Sequence, residues 1–169
     1  MRFLLDLERR LLLRARTRGH GPRRDRAIAS FSRLGEHAAC WLALGAAGVA
    51  LDGERRADWR RAAALVATSY GLNYAVKVAV RRPRPMLDGL PPLTPTVSRL
   101  SFPSAHATTS FAAAGLYRGL SPAPPLLYAL AVAFGVSRPY LGVHYPTDVL
   151  AGALLGTAFA ASLQHGGGR

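Results

Sequence analysis

Read for polarity alone, the chain divides into a basic opening segment followed by five apolar blocks. The blocks run roughly 34–51, 62–80, 104–120, 123–137 and 147–164, each rich in Ala, Leu, Val and Gly and nearly free of charge. All five are apolar around the whole helical circumference, and not along a single stripe, which is the pattern of a helix with apolar matter on every side. A soluble bundle of this size would have to show polar outer faces. Crossing a bilayer takes about 20 residues, with about 17 near the lower limit, so the blocks predict five short transmembrane helices. The fold class expected is all-α, an integral membrane helical bundle.

Residues 1–33 have a different character. They carry ten arginines, and Phe3, Leu4, Leu7 and Leu11 fall on one helical face with arginine around much of the remainder. That arrangement predicts an amphipathic helix lying in a membrane interface, closed by a turn at "GHGPRR". The long loop, 81–103, holds five prolines before Phe102 and is expected to lack regular structure. The domain organisation expected is therefore a basic segment over 1–33, a membrane-embedded domain over 34–165 and a flexible "GGGR" tail over 166–169.

Charge sharpens this picture. Half the residues are hydrophobic, yet the formal net charge is +13, from 21 arginines and a single lysine, Lys77. A basic excess suits nucleic acid or anionic lipid head groups. Nothing aromatic is interleaved with the arginines and five apolar blocks follow, so nucleic acid is set aside in favour of anionic head groups and a membrane lipid substrate. With five spans, the N-terminus, the 81–103 loop and the 138–146 loop share one face, which collects 15 arginines and Lys77 against six arginines opposite. The positive-inside rule then turns that face to the cytoplasm of a bacterial plasma membrane. Cys40 is alone, which precludes an internal disulfide, and the alternating Leu and Arg of the opening residues give no cleavable leader.

The unusual polar residues all sit on the face expected to be cytoplasmic. Lys77 ends the second block in "KVAVRRPRP", seven residues before Arg84; "PSAH", Pro103 to His106, opens the third; Ser137 and Arg138 end the fourth; and "HYPTD", His144 to Asp148, opens the fifth. One lysine and two arginines crowded together repel one another unless an oxyanion lies between them, for which Arg supplies forked donors and Lys a point charge. Pro103 places a helix start so that the backbone N–H groups of Ser104, Ala105 and His106 face outward as a phosphate cradle. Asp148, four residues beyond His144, is placed to accept a hydrogen bond from one ring nitrogen and leave the other free to attack. His106, at another junction, is suited to protonate a leaving alkoxide. A zinc site of His106, His144 and Asp148 is disfavoured by the cations beside it.

These three segments resemble the signature motifs of the type 2 phosphatidic acid phosphatase superfamily, K-x6-R-P, P-S-x-H and S-R-x5-H-x3-D. Ala105 stands where the second motif usually has glycine. The resemblance implies a six-helix core, counting the amphipathic segment as helix one, with the motifs at the end of helix three, the start of helix four and the junction of helices five and six. It also implies a metal-independent phosphatase with no cofactor. His144 would be the nucleophile forming a phosphohistidine, Asp148 would orient it, and His106 would protonate the leaving alcohol and then activate water. Lys77, Arg84, Ser104, Ala105 and Arg138 would hold the phosphoryl oxygens. The vanadium haloperoxidases share these motifs but are larger soluble proteins. Substrates implied by the resemblance are phosphatidylglycerophosphate, phosphatidate, a polyprenyl pyrophosphate, or a polyprenyl-phosphate sugar phosphate such as decaprenylphosphoryl-5-phosphoribose. The "NYAVKVAVRRPRP" and "PSAHATTSF" runs look most like the branch acting on the last of these. The loop over 85–100 is expected to act as a lid choosing among head groups.

Overall fold

The computed structural model describes the backbone of residues 2–165 and the side chains of residues 6–163. The 166–169 tail and the side chains of Phe3 and Leu4 lie outside the described residues. Seven α-helices and one short 3-10 turn make up the described chain: α1 (Arg2–Thr17), α2 (Pro22–Leu34), the turn Glu36–Ala38, α3 (Ala39–Leu51), α4 (Arg56–Val80), α5 (Ala105–Tyr117), α6 (Pro124–Tyr140) and α7 (Pro146–His165). Each expected apolar block holds one helix, α3 to α7. The basic segment, expected to hold one helix and a turn, holds two helices. Gly21 precedes Pro22, whose fixed φ suits the first helical position, so the predicted turn is in fact where α2 starts. Helices α2 and α3 meet at a 50° bend, and the described chain holds seven helices where the resemblance implies six.

Helix length gives a narrower result than the count of blocks. Among the described residues, α7 over Pro146–Leu163 is long and apolar enough by itself to cross a bilayer, and the bent α2–α3 pair passes only jointly. Helices α3 and α5, at 13 residues each, are roughly 20 Å long.

The central element is α5, which packs against α4, α6, α7 and the Glu36–Ala38 turn. Small and hydroxylated residues let its neighbours approach from every side: Ala107, Thr108, Thr109, Ser110 and Ala112 to Ala114 are all buried. The tightest approach is from α7. A Cβ on Gly156 would lie 2.2 Å from the Thr108 carbonyl oxygen, so this crossing requires glycine. Around the other face of α5, Trp41, Trp59, Val66, Tyr117, Leu127 and Phe134 form the apolar core. Its polar atoms are paired, with Trp41 Nε1 donating to Ser110 Oγ at 2.8 Å and Tyr117 Oη donating to the Trp41 carbonyl at 3.0 Å.

Helices α1 and α2 cover one end of this bundle. Ala29 of α2 packs on Leu141 and Val143 in the α6–α7 corner, and the ring of His20 stacks on Tyr140 at 4.1 Å. Helix α1 does not turn Leu7 and Leu11 inward; both are exposed, while Glu8, Leu12 and Arg16, spaced one turn apart, are buried against the protein. The face pressed on the bundle is thus the one that carries a carboxylate and a guanidinium.

Candidate active site

Three corners of the bundle meet under that cover. Lys77 lies in the last turn of α4. The loop that follows folds back along itself, with Ser101 N donating to the Arg82 carbonyl at 2.8 Å and Arg84 N to the Arg99 carbonyl at 3.2 Å, and so returns to start α5 beside the end of α4. The third corner joins α6 to α7 through Leu141–Tyr145, where Gly142 has φ of 75°. One cleft, open to solvent, is lined by Lys77, Arg84, Ala105, His106, Arg138 and His144 among others. Six of the eight residues singled out from the sequence therefore share a single wall. Ser104 and Asp148 are fully buried behind it.

His144 sits in the α6–α7 loop at 2 % exposure. Its Nε2 lies 3.2 Å from Arg84 Nη1, and its Nδ1 lies 3.5 Å from Asp148 Oδ2. The first distance makes Nε2 the acceptor, because a guanidinium can only donate; the proton then resides on Nδ1, facing the carboxylate. Asp148 is therefore opposite the expected nitrogen, but at an ion-pair distance and not in a close hydrogen bond. Burial, with Arg84, Arg138 and Lys77 nearby, holds the His144 pKa well below the usual imidazole range, so the ring is neutral. Arg84 is pushed down to about 10 by its own burial and stays charged at neutral pH.

Several expected donors are already engaged. Lys77 Nζ donates to the carbonyls of Leu100, Ser101 and Pro103 at 3.3, 3.2 and 3.0 Å, so it pins the loop to α4 while contributing charge to the cleft. The backbone N–H of Ser104, expected in a phosphate cradle, instead donates to the Asp148 carbonyl at 2.9 Å and ties α5 to α7. Arg84 gives Nε to the Ser98 carbonyl and Nη1 to the Val143 carbonyl. By contrast, Ser104 Oγ, Arg138 Nε and His144 Nδ1 are buried without a hydrogen-bond partner.

Five residues outside the fixed motif positions complete the arrangement. Arg82 Nη1 donates to Asp148 Oδ1 at 2.9 Å and its Nη2 to Glu8 Oε2 at 2.6 Å, while its guanidinium lies 4.0 Å over the Tyr145 ring. Glu8 Oε1 accepts a short hydrogen bond from Thr147 Oγ1 at the start of α7. The second oxygen of Asp148 accepts from Tyr145 N at 2.8 Å, so the carboxylate also caps its helix. Ser32 of α2, buried, accepts from Arg138 Nη1 at 2.5 Å through its hydroxyl, and its carbonyl lies 2.9 Å from His106 Nε2. That bond makes Nε2 of His106 the protonated nitrogen and leaves Nδ1 available. In the sequence, Arg82 is one of three arginines within four positions, and Glu8 and Ser32 lie among ten arginines; only the lone carboxylate in line with Leu12 and Arg16 hinted at an inward face.

The cleft is strongly cationic, with Glu36 the one carboxylate on its lining. Among the described residues no three His, Cys, Asp or Glu side chains are grouped as metal ligands. Guanidinium and ammonium groups around a neutral imidazole backed by a carboxylate suit a tetrahedral oxyanion, not a cation. A helical bundle with such a site at one end is that of a phosphatase acting on phosphoric monoesters.

The chain belongs to the PAP2 superfamily, whose family pattern matches residues 59–166. It is 40% identical over 139 residues to a decaprenylphosphoryl-5-phosphoribose phosphatase of Mycobacterium tuberculosis, covering 82% of this chain and 78% of that one. The protein of the same name from Mycolicibacterium smegmatis is 42% identical over 125 residues, 73% of this chain and 68% of that one. In fold, the chain resembles the crystal structure of a transmembrane PAP2-type phosphatidylglycerolphosphate phosphatase from Bacillus subtilis. The TM-score is 0.77 at 24% identity, over all of this chain and 90% of that one.

Proposed function

We propose that this protein is a membrane-embedded, metal-independent phosphatase that hydrolyses a lipid-linked phosphomonoester through a phosphohistidine, with a polyprenyl-phosphate sugar phosphate such as decaprenylphosphoryl-5-phosphoribose as its substrate. The observation that carries the reading is the state of His144: a neutral ring whose Nε2 opens into a cationic cleft and whose other nitrogen faces Asp148. Nε2 attacks phosphorus and the P–O bond to the alcohol breaks. His106 enters this step doubly protonated, having taken a proton from solvent on Nδ1 while Nε2–H stays on the Ser32 carbonyl, and it gives the Nδ1 proton to the departing oxygen. Water, deprotonated by His106, then attacks the phosphohistidine and releases phosphate. Arg84, Arg138 and Lys77 stabilise the charge that develops on the equatorial oxygens, with Ser104 and the Ala105 N–H at the start of α5, which gives protein cations the part a metal ion takes elsewhere. The relatives' names favour the sugar phosphate over phosphatidate, phosphatidylglycerophosphate or a polyprenyl diphosphate.

Membrane embedding is supported by the outer surface. Leu126, Val132, Val136, Leu150 and Leu154 are 58%, 51%, 64%, 61% and 63% exposed on the outer faces of α6 and α7, where a soluble bundle would place polar side chains. We place the protein in the plasma membrane, spanning it several times, with the basic end carrying the cleft in the cytoplasm. Purified protein is expected to release phosphate from the ribose-phosphate lipid, to remain active in EDTA and to be inhibited by orthovanadate, and His144→Ala is expected to abolish turnover. Full turnover by His144→Ala would end the assignment.

A further inference from the structure

The corner between α2 and α3 lies against the residue expected to protonate the leaving group. Besides the 2.9 Å contact between the Ser32 carbonyl and His106 Nε2, a Cβ on Gly35 would come 2.9 Å from His106 Cδ2, so the chain here runs directly over the imidazole. The next two residues, Glu36 and His37, line the same cleft as His106. His37 and Ala38 both have left-handed backbone angles, with φ of 52° and 61°, which is costly for two successive residues that are not glycine. The His37 ring is held by Tyr70, with Nδ1 2.9 Å from the phenol oxygen. Glu36 is half-buried; its carboxylate lies close enough to Arg138 to act on it electrostatically, but makes no hydrogen bond or ion pair among the described residues.

We infer that this corner is a leaving-group subsite that accepts a neutral, hydroxyl-rich sugar ring at the scissile oxygen and rejects a phosphate bonded directly there, with Glu36 as the selecting residue. The inference rests on the reading above and specifies which part of the substrate the corner meets. His106 delivers its proton to the oxygen that leaves, so the carbon skeleton bearing that oxygen lies on the His106 side of the cleft, beneath the corner. The cations Arg84, Arg138 and Lys77 serve the transferred phosphoryl group; the first charged group on the leaving side is a carboxylate. Its lone pairs accept from hydroxyl groups, two at a time from a vicinal diol. A diphosphate would instead bring a second anionic phosphate toward Glu36, in a part-desolvated site where like charges repel strongly. The phenol of Tyr70 and the His37 ring add further polar contacts for hydroxyls. A prenylphosphoryl-5-phosphoribose meets these conditions, because the ribose ring adjoins the scissile oxygen and its phosphodiester lies beyond the ring, and a simple prenyl diphosphate does not.

The test compares two substrates of matched prenyl tail in detergent, a prenylphosphoryl-5-phosphoribose and a prenyl diphosphate, for the wild type, Glu36→Gln and Tyr70→Phe. Glu36→Gln is expected to lower kcat/KM on the sugar substrate and raise it on the diphosphate, shifting their ratio by about tenfold or more, while inhibition by vanadate stays unchanged. Tyr70→Phe is expected to lose several-fold on the sugar substrate only. Parallel loss on both substrates, or an unchanged ratio in Glu36→Gln, overturns the subsite whichever substrate the wild type prefers. A wild type that itself prefers the diphosphate instead sinks the substrate reading.

Discussion

Replacing Arg82 by glutamine removes the group that joins Asp148 to Glu8 while leaving every motif residue in place. Three charge-assisted hydrogen bonds go with it, to Thr147 Oγ1 at 2.8 Å, Asp148 Oδ1 at 2.9 Å and Glu8 Oε2 at 2.6 Å. Each such bond contributes on the order of 1.5–3 kcal/mol. The side chain is 24% exposed, so water can partly replace it at Glu8, whereas Asp148, at 0% exposure, has no such recourse. Taking about 2 kcal/mol as the share that falls on Asp148, and so on the alignment of His144, gives a loss of about 30-fold in kcat. KM should hardly move, because Arg82 does not line the cleft. A double-mutant cycle supplies the test. Asp148→Asn alone is expected to cost about 1,000-fold or more, since it removes the group that fixes the ring's tautomer. If Arg82 acts only through Asp148, then Arg82→Gln in the Asp148→Asn background adds nothing. Phosphate release by the four proteins, each checked for vanadate binding, decides it. A double variant about 30-fold below Asp148→Asn would refute the reasoning, since Arg82 would then act on catalysis by another route.

Other outcomes follow from separate parts of the structure. His144 is buried neutral, with Arg84, Arg138 and Lys77 beside it and Asp148 behind, and its folded pKa lies well below the unfolded value. The unfolded chain therefore binds a proton that the folded one does not, so stability falls as pH drops below about 6.5, by about 1.4 kcal/mol at pH 5.5. Melting in detergent should show this slope, and His144→Gln should flatten it; an equal slope in both would remove His144 as the cause. Gly156→Val forces a side chain into the Thr108 carbonyl, 2.2 Å from the Cβ position, and is expected to destabilise by about 2 kcal/mol. An unchanged melting temperature would show that α5 and α7 part easily. For topology, reporters fused after Gly53 and after Gly89 should fall on opposite sides of the membrane, and a common compartment would defeat the proposed arrangement of spans.

The sequence made the wall of the cleft legible because its motif residues sit at or near helix ends, and helix ends are marked by changes in polarity and by proline. Lys77, Arg84, Ala105, His106, Arg138 and His144 could be grouped before any coordinates, since alternate ends of successive apolar helices must lie together. Distances within the group were not legible. Ser104 N could face phosphate or another helix, and only the close packing of α7 on α5 decides for the Asp148 carbonyl. Helix α2 was hidden because its buried stripe is short, Ala29 and Ser32, within a run dominated by arginine. Arg82 was hidden by its neighbours: Arg81, Arg82 and Arg84 are chemically equivalent in sequence, and the fold alone separates a helix C-cap, a carboxylate clamp and a cleft donor. Glu8 escaped notice for a related reason, as one of two acids in a basic helix looks like a solvated charge until its face is known.

The shared arginine gives the opening helix a stake in the chemistry. A polypeptide starting beyond Thr17 would retain all ten signature positions and still leave Asp148 with a partner free to swing toward solvent. Conversely, whatever fastens α1 to the bundle also fastens the imidazole, and by reciprocity an oxyanion gripped in the cleft should tighten the hold on that helix.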